Sequence, residues 1–427
     1  MKVTFINTSE NNGGAAIACN RLQKAIQKVG IDAKLIVRDK IGNDPTVIPA
    51  GTSFFSRKLN FLRFCWERFV IFINNKFNRK DLFLVSIANT GSNISKLPDI
   101  KQADIINLHW VSQGFLSLKN IRQLIKTGKP IIWSMHDMWT YTGICHNSGN
   151  CTKYTEECKL CAFLKSTSAR DLSTKTFRKK KKLFEKAPKL YFVGSSKWMA
   201  DCARQSALNS KNINITSLPI PIDTDKYTVT DKAGARAKFN LPQDKKLLLF
   251  GAVKVTDERK GAQYFVEACK LLTQQYPLLQ QEIAIIAFGK NTVSFSNLFP
   301  FQVHGTDFIS KTEDIVALYN AADAFIIPSL EDNLPNTVIE ALACGTPCVG
   351  FNAGGIPEMI DHKVNGFVAE YKSVEDLAKG IYWTLYEADY GKLTENACKK
   401  ALDTYSEEAV AQQYLKFYSD ILSENKS

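Results

Sequence analysis

Residues 324 to 350 read AFIIPSLEDNLPNTVIEALACGTPCVG, and the order of residue types in this stretch decides the fold. Ala324-Phe325-Ile326-Ile327 is a short apolar run closed by Pro328, the pattern of a strand buried on both faces. A polar loop follows, and apolar residues then recur at helical spacing over 337–343. Gly345 and Pro347 stop that helix before a second apolar run over 346–350. Strand, loop, helix and strand form the repeating unit of a parallel sheet with crossover helices.

The same alternation runs outward along the chain. Strands are expected at 3–7, 34–37, 105–108, 131–134, 190–194, 247–250, 283–288, 324–327 and 346–350. Helices are expected at 15–29, 261–276, 312–321, 337–343 and 374–385. One series fills residues 1 to about 215 and another begins near Lys245. The prolines of Leu218-Pro219-Ile220-Pro221-Ile222-Asp223 suit an extended connection between them. The reading is an α/β protein of two lobes, 1–217 and 218–405, with a Cys-rich insertion at 143–163. A final helix within 406–427 is free to pack back on the first lobe.

Composition bounds the function. A chain of 427 residues is long enough for two full cores, and 45% hydrophobic with 23% charged residues is an ordinary globular balance. The start, Met1-Lys2-Val3-Thr4-Phe5-Ile6-Asn7, has no apolar stretch of signal-peptide length, and no run reaches the roughly 18 apolar residues of a membrane span. The chain therefore reads as cytoplasmic, with its eleven cysteines mostly reduced. A net charge of +13 favours anionic partners without choosing among nucleic acid, anionic lipid and phosphorylated substrates.

The first lobe offers Asn11-Asn12-Gly13-Gly14-Ala15-Ala16 between its first strand and helix, a turn where backbone can approach an anion. His136 follows a strand in Trp133-Ser134-Met135-His136-Asp137, and His109 follows another in Leu108-His109-Trp110. Both should stand at the carboxyl edge of the sheet, where open α/β folds bind ligands. In the second lobe the helix after Leu334-Pro335 has Asn336 or Thr337 as its cap. Its amides and positive dipole end suit a pyrophosphate. Glu340, about one turn in, can accept from ribose hydroxyls. Taken alone, this pattern is also that of a capped helix with a solvated acid.

The block from Pro328 to Pro347 is continued by Gly354-Gly355-Ile356-Pro357-Glu358-Met359-Ile360 and Asn365-Gly366-Phe367. Together they resemble the donor-binding half of retaining glycosyltransferases of family four, and the likeness extends more loosely over residues 1–225. The resemblance implies the GT-B fold, two Rossmann-like lobes with parallel sheets facing across a cleft. It further implies a nucleoside diphosphate sugar, UDP- or GDP-linked, as donor, and no catalytic metal. In such enzymes two acids eight positions apart flank the donor. Glu340 matches the ribose-holding acid; Asp332 stands eight residues before it, with Glu331 beside it as the other candidate. Similar enzymes clamp the diphosphate with an Arg and a Lys after the lobe's first strand. Lys260 matches the lysine, whereas Ala252 occupies the usual arginine place, leaving Arg259 or Lys254 to substitute. The resemblance also points to His136 as a contact of the transferred sugar and to Gly13-Gly14 as the loop facing acceptor or diphosphate.

Cys145, Cys151, Cys158 and Cys161 end in a Cys-x-x-Cys pair, and four thiolates can close a structural zinc site with no open position. Free thiols and disulfides are the other readings. Residues 54–79 form a basic, aromatic-rich segment that fits either a helix lying on an anionic membrane or a core helix with cationic edges. The cationic run 178–182 reads as a solvated face or an added membrane attraction. A lipid-linked glycan in bacterial surface-polysaccharide synthesis is the acceptor these features suggest. The charge and the possible zinc site also admit a nucleic-acid-binding protein, although no reading motif accompanies them. A GT-B sugar-phosphate enzyme such as an epimerase is a further alternative.

Overall fold

The computed structural model describes residues 1–51, 53–165, 168–254, 257–290, 292, 296–306, 309 and 311–424, with the side chains of Val253 and Lys254 outside that description. The chain divides into two compact units, Met1–Pro219 with Val410–Ser427 and Ile220–Ala409.

Unit 1 holds a seven-stranded sheet: β1 (Lys2–Ser9), β2 (Asp32–Asp39), β3 (Val47–Pro49), β4 (Ile105–Leu108), β5 (Ile131–Met135), β6 (Leu190–Gly194) and β7 (Ile213–Ser217). The order is β3-β2-β1-β4-β5-β6-β7 and every pairing is parallel. Because β2 and β4 flank β1 on opposite sides, the winding reverses at β1, and a crevice opens there at the carboxyl ends of the strands. Strands β4, β5 and β6 are buried throughout, as expected of runs covered by helices on both faces.

The C-terminal helix Glu407–Glu424 crosses into unit 1. Val410, Ala411, Tyr414, Tyr418 and Ile421 join the core formed by β1, β2 and the helix α1 (Gly14–Lys28). The Tyr418 hydroxyl accepts from the Asn107 amide at 3.1 Å, so this helix satisfies a polar group inside the sheet as well as burying apolar area.

Unit 2 holds β8 (Lys246–Lys254), β9 (Ile283–Lys290), β10 (Gln302–Thr306), β11 (Ala324–Ile327), β12 (Cys348–Phe351) and β13 (Gly366–Ala369). The order is β10-β9-β8-β11-β12-β13, again all parallel, with the reversal between β8 and β11. The Asp323 carboxylate accepts from Leu247 N at 2.7 Å and pairs with Arg236 at 2.7 Å, which ties the starts of these two strands together.

Strands β3, β7, β10 and β13 escape the sequence pattern. They are edge or near-edge strands of three to five residues, and β7 and β10 are only partly buried. An edge strand needs no apolar residues on both faces, so its composition resembles loop.

Within the segment 54–79 a single helix, α2 (Phe54–Asn74), is begun by Ser53, whose side chain accepts from Ser56 N. Its buried residues are Asn60, Glu67, Arg68 and Ile71, which is the reverse of a core helix with cationic edges. In the cationic run, Lys180 is fully buried and its Nζ donates to the carbonyls of Trp139 and Thr142. A continuous solvated face is therefore incorrect for 178–182: helical periodicity turns one of the five residues inward.

Candidate functional site

The residues after β8 and after β11 meet at the switch point of unit 2. A turn at Glu258–Lys260 ends in Gly261, whose φ is +67°. A Cβ on Gly261 would lie 1.8 Å from the Pro328 carbonyl oxygen, so only glycine permits this approach. Leu330 N donates to the Arg259 carbonyl at 2.8 Å, which fastens the turn to the loop after β11. Gly354 works in the same way from the other side. Its φ is +58°, and a Cβ there would lie 1.9 Å from the Asp332 carbonyl oxygen, which accepts from Gly355 N at 3.0 Å.

Three backbone segments are thus drawn around Asp332, whose carboxylate lies 2.6 Å from Lys260 Nζ and 3.6 Å from Arg259 Nη1. Burial pushes the Asp332 carboxyl up, but the two cations outweigh it and hold it below the ordinary range. Arg259 also donates to the Glu331 carbonyl at 2.7 Å. Of the two adjacent acids, Asp332 is the one gathered with both cations, while Glu331 is buried beside it and presents its carbonyl to Arg259. The Lys254 side chain lies outside the described residues.

The helix Asn336–Ala343 begins with Pro335 at its cap, which makes no side-chain cap hydrogen bond. This corrects the assignment of Asn336 or Thr337 as cap: both are already helical. Proline fixes the entry angle but has no side-chain acceptor, so the first amides are not claimed by a cap as they would be by Ser or Asp. Leu334 is buried beneath the turn. Glu340 is buried, and its Oε2 accepts from the Tyr319 hydroxyl at 3.0 Å. Burial, reinforced by the Glu340 charge, pushes the Tyr319 phenol up, so it stays protonated and a donor. Sequence reading did not find Tyr319. Its only local signal is a tyrosine on the buried side of an otherwise unremarkable helix, Thr312–Ala321.

In unit 1 the corresponding edge carries Gly13, His109 and His136. Gly13 is exposed and precedes α1 with φ +93° and no side-chain cap, and Gly14 opens the helix. His109 Nδ1 and His136 Nε2 are 2.7 Å apart with their rings stacked at 5.0 Å. Burial pushes His136 down to about 4 and His109 well below its ordinary value, so the pair is neutral near pH 7. Asp137, next in sequence, accepts from Trp110 Nε1 at 2.7 Å and lies 2.7 Å from His146 Nδ1. His146 and Trp110 are therefore parts of this edge that were not singled out from sequence. A cavity of about 660 Å³ opens near the carboxyl ends of β2 and β3, lined in part by Arg38, Lys40, Arg57, Phe61 and Phe64.

The four cysteines expected to hold zinc are free thiols drawn near one another. Cys145, Cys151, Cys158 and Cys161 are near enough for Cys145 to feel the other three electrostatically, but none forms a disulfide. Among the described residues no three His, Cys, Asp or Glu side chains are grouped closely enough to hold a metal ion. Cys145 instead packs with Ile71, Val85 and Ile144, and Cys158 accepts from Gly143 N at 3.2 Å. Among the described residues, no helix is long and apolar enough to cross a membrane.

Residues 231–401 match the family model described as glycosyl transferases group 1. An uncharacterized glycosyltransferase of Haemophilus influenzae is 31% identical over 29% of this chain and 35% of its own length. The putative colanic acid biosynthesis glycosyl transferase WcaC of Escherichia coli is 22% identical over 74% of this chain and 76% of its own. The chain spans about half the length of the curated relatives it matches, 35% to 54% for four of them. The crystal structure of Anabaena HepE in complex with UDP and glucose superimposes with a TM-score of 0.63 over 98% of this chain and 99% of that one, at 15% identity. The two parallel sheets are those of the GT-B fold.

Proposed function

We propose that this chain, a member over residues 231–401 of the group 1 glycosyl transferases, moves a sugar from a nucleoside diphosphate conjugate to an acceptor hydroxyl with retention of configuration. One observation carries the reading: an N-terminus without a side-chain cap, a buried acid one turn inside that helix and two cations converge at the switch point of unit 2. A diphosphate is the ligand this arrangement fits, since amides, helix dipole, Lys260 and Arg259 all favour an anion at one spot. Glu340, oriented by Tyr319, would hold the ribose.

The reaction then needs little covalent help from the protein. The bond between the anomeric carbon and the phosphate oxygen breaks, its electron pair leaves with the diphosphate, and Lys260 and Arg259 offset the charge that develops. The acceptor oxygen bonds to the anomeric carbon from the same face and passes its proton to the departing phosphate. Asp332, or Glu331 in its place, faces the transferred sugar. As the diphosphate enters, it competes with Asp332 for both cations. In unit 1, Gly13-Gly14 and the cavity beside β2 are assigned to the acceptor side, and neutral His136 to a hydrogen bond with the sugar.

HepE was solved with UDP, which supports UDP over GDP as the donor nucleotide. The name of WcaC supports a surface polysaccharide as the product. The test is a thermal-shift and calorimetric screen against UDP, GDP, ADP and their sugar conjugates, with Lys260→Ala and Glu340→Ala alongside. Binding of one diphosphate that both substitutions weaken supports the reading, and binding of none overturns it.

A further inference from the structure

Helix α2 is amphipathic in the wrong sense for a soluble protein. Phe55, Leu59, Leu62, Trp66, Phe69 and Ile73 follow one another at spacings of three and four, which places them on one face. That face is outward, with exposures of 81%, 46%, 61%, 54%, 50% and 42%. The inward face is mainly polar, with Asn60, Glu67 and Arg68 buried beside Ile71. Glu67 is fully buried, and its Oε1 accepts from Ile87 N and Ala88 N at 2.8 Å each. Arg68 is buried and donates to the carbonyls of Leu82 and Val85, and Arg63 donates to Ser92 Oγ. The backbone of α2 is seated so closely that a Cβ on Gly114 would lie 2.7 Å from Phe64 N.

The orientation is therefore fixed by bonds that a half-turn of the helix would break. Rolling the aromatic stripe inward would carry Glu67 out to water and leave the loop amides it satisfies unpaired beneath an apolar face. The outward stripe is not a core face that failed to find its partner. It continues past the helix end through Phe77 and Phe83, which are 68% and 60% exposed. A contiguous apolar surface of this kind on a soluble protein marks an interaction site.

We propose that this face is a docking surface for an anionic lipid bilayer, on which α2 lies parallel to the membrane plane. Charge selects this occupant. Arg57, Lys58, Lys76, Arg79 and Lys80 are all exposed at the two ends of the stripe. Glu67 is the only acid between residues 53 and 80, and it is buried. Aromatic side chains flanked by exposed cations match the boundary between acyl chains and acidic headgroups. A second copy of the same face would bring these cations against their like. Cations of unit 1 also line the cavity at the first turns of α2, where Arg57 and Phe61 face Lys40 and Arg38, the latter paired with Asp39 at 2.6 Å. The proposal stands on unit 1 alone and does not depend on the reading of the donor site.

The test is co-sedimentation of the full chain with vesicles of phosphatidylcholine alone and of phosphatidylcholine with phosphatidylglycerol. The native chain is expected to bind the anionic vesicles and to stay in solution with the neutral ones. Trp66→Ser with Phe69→Ser, and separately Lys76→Glu with Arg79→Glu and Lys80→Glu, should each weaken that binding by about tenfold or more. All these side chains are exposed, so the melting temperature and nucleotide binding should be unchanged and serve as controls of folding. Failure of the native chain to bind either vesicle, or undiminished binding by both variants, overturns the proposal. So does a dimer in analytical ultracentrifugation that Trp66→Ser with Phe69→Ser dissolves, because the face would then belong to a second copy. Loss of nucleotide binding alone would bear on the donor site and leave this inference intact.

Discussion

The Tyr319 hydroxyl donates to Glu340 Oε2 across 3.0 Å inside unit 2, joining the helix that precedes β11 to the helix that follows it. The phenol is fully buried and stays protonated, so it holds the carboxylate in one orientation. Removing the hydroxyl in Tyr319→Phe costs a hydrogen bond to a charged group, about 1.5–3 kcal/mol of stability. Nucleotide affinity should fall roughly three- to tenfold by calorimetry while the fold is retained. Glu340→Ala should lower affinity further, because it removes the group that Tyr319 positions.

Asp332 and Lys260, 2.6 Å apart, make opposite predictions for binding. Lys260→Ala should weaken UDP binding by about tenfold or more, since a charge-assisted contact to the diphosphate is lost. Asp332→Asn should strengthen binding of the bare diphosphate by roughly three- to tenfold, because the two cations lose their internal competitor. The same variant should lower sugar transfer, and a calorimetric affinity paired with a turnover assay separates the two effects.

The low pKa of Asp332 also sets a pH dependence. Its folded value lies below the unfolded one, so the pair with Lys260 contributes fully above the ordinary carboxylate range, about pH 4, and is lost as pH falls through the folded value. Urea midpoints measured from neutral to acid pH should fall more steeply for the native chain than for Asp332→Asn below that range.

His136 titrates in a different window. Its folded value of about 4 lies below the ordinary 6.5, and His109 is shifted the same way. Below 6.5 the unfolded chain takes up protons that these buried rings refuse, so stability is full above that pH and declines toward pH 4. The variant His109→Gln with His136→Gln should show a flatter melting-temperature profile between pH 4 and 6.5, and equal slopes would rule out the assignment.

Two glycines with positive φ should respond unequally to alanine. At Gly261 the left-handed φ is combined with a Cβ position 1.8 Å from a carbonyl oxygen, and Gly261→Ala should cost about 2–5 kcal/mol and abolish nucleotide binding. At Gly13 nothing lies within 4 Å of the added Cβ, so only the backbone preference is lost, about 1–3 kcal/mol. Chemical denaturation of both variants measures the difference.

The central strands were legible because a strand buried on both faces must be apolar throughout, and that constraint is local. Ile105–Leu108, Leu190–Gly194 and Ala324–Ile327 fall where their composition places them. The edge strands β3 and β10 were not legible, because their identity comes from the neighbour they pair with. The helix start at Asn336 was visible one residue late, since a capping residue and a first helical residue share the same polar types and only dihedrals separate them.

The alternating parallel architecture, and the order of the polar loops that end its strands, follow from local residue patterns. Periodicity is a property of neighbours in the chain, and a loop that follows a buried parallel strand can only emerge at the sheet's carboxyl edge. Tertiary structure alone decided which of those loops meet and which way amphipathic pieces face. Nothing local pairs Tyr319 with Glu340, chooses Asp332 over Glu331 as the partner of Lys260 and Arg259, or packs Cys145 with Ile71 and Val85. The orientation of α2 makes the physical reason plain. Its pattern fits either face inward, and the outcome turned on two loop amides, remote in sequence, that needed the buried carboxylate of Glu67.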